Sequence, residues 1–205
     1  GAIDVVYNAP DSVYAQGTTT DRAAGGRFTN ERPYFLFVGS LHPRKNLKGL
    51  LEAFRLYRTR GGEHELLIVG AGMWTANETQ ADGVHYAGRL GREELAEVMR
   101  GAEGLVFVPW FEGFGVPIVE AFASGVPVIA SNTTAMPEVC GDAAAALVDP
   151  ANAQEIAEAM KLVEGDEATR NRAIEAGLVR AKEFSWDASA KRLMASIEKV
   201  IAAHA

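Results

Sequence analysis

The stretch Tyr34–Gly70, YFLFVGSLHPRKNLKGLLEAFRLYRTRGGEHELLIVG, decides the fold. It opens with five apolar residues, Tyr34 to Val38, with no polar residue alternating between them. That is the pattern of a strand buried on both faces. Leu47, Leu50, Leu51 and Phe54 then recur at helical spacing on one side, and Asn46 stands where it can cap that helix. Leu66 to Val69 is a second unbroken apolar run, closed by Gly70 and Gly72. Strand, helix and strand in such short order form a parallel crossover unit.

Outward from this unit the alternation continues. Val84 to Ala87 reads as a third strand, ending at Gly88. A helix with Leu95, Val98 and Met99 inward leads to a fourth, Leu105 to Val108. Pro109 to Gly115 is a loop, followed by a short helix from Val116 to Ser124. Val126 to Ala130 makes a fifth strand and Ala145 to Val148 a weaker sixth. Asn152 and Glu155 form a capping pair for a helix carrying Ile156, Met160 and Val163. Two more helices follow. The last starts near Ser185 and sets Trp186, Leu193, Ile197 and Val200 on one stripe. The class is α/β: a Rossmann-like, doubly wound parallel sheet of about six strands with helices on both faces. Upstream, a short apolar run from Ile3 to Tyr7 meets turn chemistry at Asn8-Ala9-Pro10. A polar, Gly- and Thr-rich stretch then runs to Pro33, and residues 1–33 read as linker or covering loop rather than core.

The formal charge of −7 argues against nucleic acid or an anionic membrane as a partner, since both select basic surfaces. An anionic ligand must be met by a few local cations or by backbone N–H groups. A single cysteine, Cys140, allows neither an internal disulfide nor a thiolate metal cluster. No segment reads as a signal peptide or as a membrane span. The chain opens with Gly1 and Ala2 rather than Met, which reads as a tag scar or an excised piece of a longer protein.

In a doubly wound sheet, ligands sit beyond the strand C-terminal ends. Glu112-Gly113-Phe114-Gly115-Val116-Pro117-Ile118-Val119-Glu120 follows the fourth strand. Gly113 and Gly115 let backbone approach a ligand closely, and Pro117 suits a first helical turn. The loop therefore offers free N–H groups at a helix start, fit for a diphosphate. Glu120 lies among Ile118, Val119, Ala121 and Phe122, where a carboxylate needs partners; the two vicinal hydroxyls of a ribose would serve. A bland reading puts Glu120 on an exposed helix edge and Glu112 in solvent. After strand one, Gly39-Ser40-Leu41-His42-Pro43-Arg44-Lys45-Asn46 sets two cations just before a helix N-terminus, where the dipole disfavours them unless an anion binds. The plain alternative is two solvated cations. There is no G-x-G-x-x-G after strand one, no phosphate-binding lysine loop, no D-x-D pair and no metal-ligand spacing among the four histidines. No metal or other cofactor is expected.

FLFVGSLHPRKNLKGLLEAF, EGFGVPIVE with its E-x7-E spacing, AFASGVPVIASNTTAMPEVCGDAAAALVDP and the terminal FSWDASAKRL resemble the retaining glycosyltransferases of family 4, also called group 1. The resemblance implies a GT-B enzyme of two Rossmann-like domains, of which this chain is the C-terminal, donor-binding one. Residues 1–33 become an interdomain linker and 34–205 the nucleotide-sugar-binding domain. The resemblance also implies a UDP- or GDP-sugar donor, a hexose of mannose or glucose type, and a hydroxyl acceptor held by a missing N-terminal domain. By itself the chain is then an inactive half. The resemblance further assigns roles: Glu120 to the ribose, Glu112 to the donor sugar and its phosphate side, and the N–H groups of Phe114, Gly115 and Val116 to phosphate or sugar oxygens. Lys45, with Arg44, neutralises the leaving diphosphate. Gly39 and Ser40 line the donor site, and Gly88, Arg89 and Leu90 lie near the base. Glu112, Lys45 and Arg44 are the expected catalytic groups. Many members carry Arg where this chain has Ser40, so either Arg44 compensates or the diphosphate is held less firmly. The implied location is cytoplasmic or peripheral at the inner membrane face, with membrane contact only through the missing half. A sugar-nucleotide epimerase or phosphorylase of the same architecture, and a non-catalytic nucleotide-sugar-binding module, are the alternatives.

Overall fold

A computed structural model of the chain describes residues 3–15, 23–71 and 81–204. The expectation placed on Gly72 lies outside these residues. Six strands, β1 (Tyr34–Val38), β2 (Glu65–Val69), β3 (Val84–Gly88), β4 (Gly104–Phe107), β5 (Val128–Ser131) and β6 (Ala146–Val148), pair in parallel in the order β3-β2-β1-β4-β5-β6. This is the doubly wound arrangement anticipated from the sequence. Eight α-helices lie among the described residues: α1 (Ala23–Thr29), α2 (Leu47–Thr59), α3 (Arg92–Arg100), α4 (Val116–Ala123), α5 (Met136–Cys140), α6 (Ala153–Gly165), α7 (Glu167–Ala181) and α8 (Trp186–His204). None is long and apolar enough to cross a membrane.

Strand alternation builds two cores from one sheet. Phe35 and Phe37 point to the face covered by α2 and α6, where Leu50, Phe54, Ile156 and Met160 are fully buried. Tyr34, Leu36 and Val38 point to the other face, against Met99 of α3 and Ile118, Val119 and Phe122 of α4. Every residue of β1 is buried, as its unbroken apolar run requires.

Four local expectations change. β5 begins at Val128 rather than Val126, because the Val126 N–H is taken by the Ala121 carbonyl at the end of α4 and Pro127 has no N–H for a ladder. Asn46 occupies the cap position of α2 in left-handed backbone (φ 57°) but makes no side-chain cap. Its buried Nδ2 instead donates to the carbonyls of Val108 (3.1 Å) and Pro150 (2.8 Å), tying the ends of β4 and β6 together. At α6, Asn152 does cap, accepting from Gln154 and Glu155 N–H, while Glu155 reaches the Asp149 N–H rather than that of Asn152. On α8, the stripe of Trp186, Leu193, Ile197 and Val200 faces outward and is 44–59% exposed.

The stretch before Pro33 is more than a covering loop. Residues 23–29 form a helix, and Ala9 and Tyr14 are buried in the α3–α4 core. The Tyr7 ring packs tilted on Phe114 and edge-on to Phe184, and the Tyr7 carbonyl accepts from Ser189 Oγ (2.6 Å). Ser124 Oγ and an Arg100 N–H donate to the carbonyls of Tyr14 and Val13. The apolar run Ile3–Tyr7, by contrast, joins no strand, and Ile3 and Val5 are exposed.

Candidate functional site

β1 has β2 on one side and β4 on the other, so the loops that leave their C-terminal ends diverge and open a cleft at the switch point. The first loop tightens into a 3-10 turn, Pro43–Lys45, capped by His42, whose Nδ1 accepts the Arg44 N–H at 3.2 Å. The second runs from Val108 to Gly115. A backbone bond from Trp110 N–H to the Arg44 carbonyl (2.9 Å) laces the two together.

Across this lacing, two cations meet one carboxylate. Lys45 Nζ and Arg44 Nη1 both donate to Glu112 Oε2, the arginine at 3.1 Å. Lys45 is only 8% exposed, and its Nζ lies 4.9 Å from the centre of the Phe107 ring. A buried ammonium is tolerated only when paired, and here the ring face and the carboxylate supply the pairing. Burial works to raise the Glu112 carboxyl, but the bonds and charges of Lys45 and Arg44 outweigh it and hold the group below its ordinary range. Lys45 is therefore not a solvated cation, whereas Arg44 stays exposed while bonded to Glu112, and Glu112 is half-buried rather than free in the loop.

The loop enters α4 through Gly115, whose φ of 93° only glycine takes readily; a Cβ there would also lie 2.9 Å from Met136 Cε. No side chain caps α4. Among the described residues, the N–H groups of Phe114, Gly115 and Val116 find no protein acceptor, and Pro117 has none to offer. The result is a cluster of free donors at the positive end of a helix dipole. The Phe114 ring, wedged between Tyr7 and Phe184, fixes the loop from behind. Gly113, by contrast, has open space around it and ordinary backbone, so it needs no glycine here for either reason.

Glu120 sits five residues into α4, roughly 7.5 Å along the axis from Gly115. Its carboxyl is half-buried and makes no hydrogen bond or ion pair among the described residues. Burial first, then the nearby negative charge of Asp11, pushes it up to about 7. This is neither the exposed helix edge of the bland reading nor a satisfied core carboxylate such as Glu65, which bonds Arg32 (3.0 Å) and His85 (2.9 Å). A partly buried carboxylate with two open oxygens is primed to accept hydrogen bonds from a ligand.

The remaining expected residues spread along the same edge. Gly39 closes β1, and Ser40 is exposed and without a side-chain partner among the described residues, so Arg44 is the second cation beside Lys45. Gly88 (φ 69°), the last residue of β3, and Arg89 after it are exposed, while Leu90 packs on the core. They stand two strands from β1, on the Glu120 side, and Asp11 links that side to α3 through Arg92 (2.9 Å). Sequence reasoning missed Asp11 and Tyr14, which flank Glu120, and Phe107 beneath Lys45. It also missed the segment after β5. There Thr134 (φ 55°) accepts the Glu112 N–H on its Oγ1, and Ser131 Oγ and Thr133 Oγ1 are buried without a protein partner among the described residues. The one available signal was the run of Ser, Asn and Thr immediately after a buried strand.

The family model described as Glycosyl transferases group 1 matches residues 19–180. O-antigen chain mannosyltransferase B of Escherichia coli is 35% identical over 164 residues, which are 75% of this chain and 42% of that protein. The MMP alpha-(1->4)-mannosyltransferase of Mycolicibacterium hassiacum is 38% identical over 125 residues, 60% of this chain and 30% of that one. The chain thus spans less than half the length of these relatives. Among solved structures, Anabaena HepE in complex with UDP-glucose superposes with a TM-score of 0.80 at 17% identity, over 95% of this chain and 57% of that one. The C-terminal domain of a Francisella tularensis glycosyl transferase group 1 family protein superposes with a TM-score of 0.71 at 19% identity, over 86% of this chain and 97% of that domain.

Proposed function

The chain belongs to the glycosyl transferases group 1 family, and from that premise we propose that it is the C-terminal, donor-binding half of a retaining GT-B enzyme. The enzyme moves a hexose, of mannose type by its relatives, from a UDP- or GDP-sugar to a hydroxyl. The observation that carries this reading is one continuous segment: Glu112 clasped by Lys45 and Arg44, then three N–H groups and then Glu120, all without a protein partner among the described residues. A nucleoside diphosphate has its features in that order, with sugar and diphosphate at the loop and ribose hydroxyls further along the helix. The partial length relative to whole transferases, and the coverage of a solved C-terminal domain, support the half-enzyme assignment.

In this reading the chemistry is stabilisation of the leaving group. As the anomeric bond opens, negative charge grows on the diphosphate while the sugar becomes oxocarbenium-like. Lys45, Arg44 and the α4 N–H groups, gathered on adjoining loops, stabilise that charge as it grows. Glu112 holds the two like-charged groups side by side and gives the buried Lys45 ammonium its counter-charge. These groups supply the positive charge without a metal.

The test is thermal unfolding of the chain with UDP, GDP and ADP in turn. A nucleotide at a hundred times its dissociation constant adds about 2.7 kcal/mol, roughly 5–10 °C for a chain of this size. One of the three should do so, and Glu120→Gln should abolish most of the rise. If none of the three raises the transition, the donor-site assignment is wrong.

A further inference from the structure

A second concavity lies beside the proposed donor site, behind the Trp110–Arg44 lacing. It encloses about 620 Å³, the size of sites that take small organic ligands. Its floor is apolar and fixed: Leu41, Leu47 and Pro150 are buried, and the Asn46 amide locks the floor by its two carbonyl bonds. One wall is the indole of Trp110, 47% exposed although the backbone that carries it is pinned. The rim is polar and unengaged. Lys48 and Glu52, one turn apart on α2, form no ion pair with each other or with any described residue. His42 accepts the Arg44 N–H on Nδ1, so its ring proton sits on Nε2, a donor at the rim.

An aromatic plate over an apolar floor, edged by one donor, one ammonium and one carboxylate, matches a pyranose ring. Such a ring has an apolar C–H face and a perimeter of hydroxyls that both donate and accept. An acyl chain would leave three polar groups desolvated, and a phosphate would meet Glu52 at the rim. The floor and the lacing keep this cavity apart from the Lys45–Glu112 cluster, with only the backbone between them.

We propose that this pocket is a second carbohydrate subsite, which holds a sugar unit of a glycan stacked on Trp110 with its hydroxyls on His42, Lys48 and Glu52. The choice of a glycan as occupant draws on the transferase reading; the pocket and its chemistry do not. The site fixes a glycan next to the diphosphate-facing loops, so a chain that is being extended has a foothold on the donor half as well.

The experiment is titration of the 205-residue chain with mannobiose and with maltose, read by tryptophan fluorescence, with sodium laurate as the apolar arm. Of the three tryptophans, Trp74→Phe and Trp186→Phe together leave Trp110 as the reporter. At least one disaccharide should perturb the emission at millimolar concentration, in the Trp74→Phe, Trp186→Phe background too. Trp110→Ala, which removes the reporter and is read by isothermal titration, should weaken that binding by about tenfold or more, as for loss of an aromatic anchor, and Glu52→Gln, an exposed change that leaves the fold intact, by several-fold. Thermal shifts by nucleotide should be the same in wild type and Trp110→Ala. The inference is overturned if neither disaccharide binds, if Trp110→Ala and Glu52→Gln bind as wild type does, or if laurate binds and the sugars do not. Failure of every nucleotide to shift the transition, with sugar binding intact, would strike the donor-site reading and leave this one standing.

Discussion

Replacing Glu120 by Gln removes a charge that the fold holds at a cost. The Glu120 carboxyl titrates at about 7 in the folded chain, against 4.5 for an ordinary glutamate. Burial and Asp11 both favour the neutral form, so folding favours protonation. The stabilisation this gives is fully present below pH 4.5 and is lost as the pH rises through 7, to a total of about 3 kcal/mol at 1.36 kcal/mol per unit. Glutamine keeps the shape and cannot ionise. Wild type and Glu120→Gln should therefore unfold at nearly the same temperature at pH 4.5–5. At pH 8 the variant should be the more stable by up to about 3 kcal/mol, some 6–12 °C at about 2–4 °C per kcal/mol. The assay is thermal denaturation by circular dichroism in steps from pH 5 to 8, taking the difference between the two proteins so that every other titrating group cancels. The same variant should bind nucleotide more weakly at pH 8, which makes the position one where stability and ligand binding oppose each other. If the two melting curves run parallel across the whole range, Glu120 is not the strained carboxylate described above and the argument that it awaits hydroxyl partners falls.

Lys45→Ala in a full-length enzyme should lower turnover by about a hundredfold, the loss expected for one preorganised donor to a developing anion; near-normal turnover would remove Lys45 from the mechanism. Asn46→Ala strips two bonds from buried carbonyls and asks alanine to hold a left-handed backbone, so urea unfolding should show a loss of about 2–4 kcal/mol. A change under about 0.5 kcal/mol would mean the amide tether carries no weight. Gly115→Ala meets both a positive φ and Met136, and should cost about 1–2 kcal/mol and weaken diphosphate more than nucleoside, as isothermal titration with UDP against uridine would show.

How much was legible depended on whether one force acted at a position or several. β1 was read with its bounds because Pro33, five apolar residues and Gly39 all give the same answer. The order of elements, the loop at Glu112–Gly115 and the cations after β1 followed from that periodicity. α1 was not legible, since Gly25 and Gly26 read as loop; in the structure Gly25 is there for close packing, where a Cβ would strike the Tyr34 ring. Asn46 has the composition of a cap, yet a pair of distant carbonyls claims its amide, and no local pattern encodes that. The same holds for Asp11 and Tyr14 beside Glu120, which are brought there from a hundred residues away. The stripe on α8 shows the converse: period 3.6 established an amphipathic helix but not what, if anything, covers its apolar side.

That outward stripe shapes how the protein behaves as a solute. Trp186, Leu193, Met194, Ile197, Val200 and Ile201 form a sticky ridge on a molecule whose formal charge is −7. In dilute buffer the like charge of neighbouring copies keeps the ridges from meeting. At physiological ionic strength repulsion beyond about 8 Å is largely screened, and short-range apolar attraction is left to set the balance. The colloidal stability of this chain thus falls as salt rises.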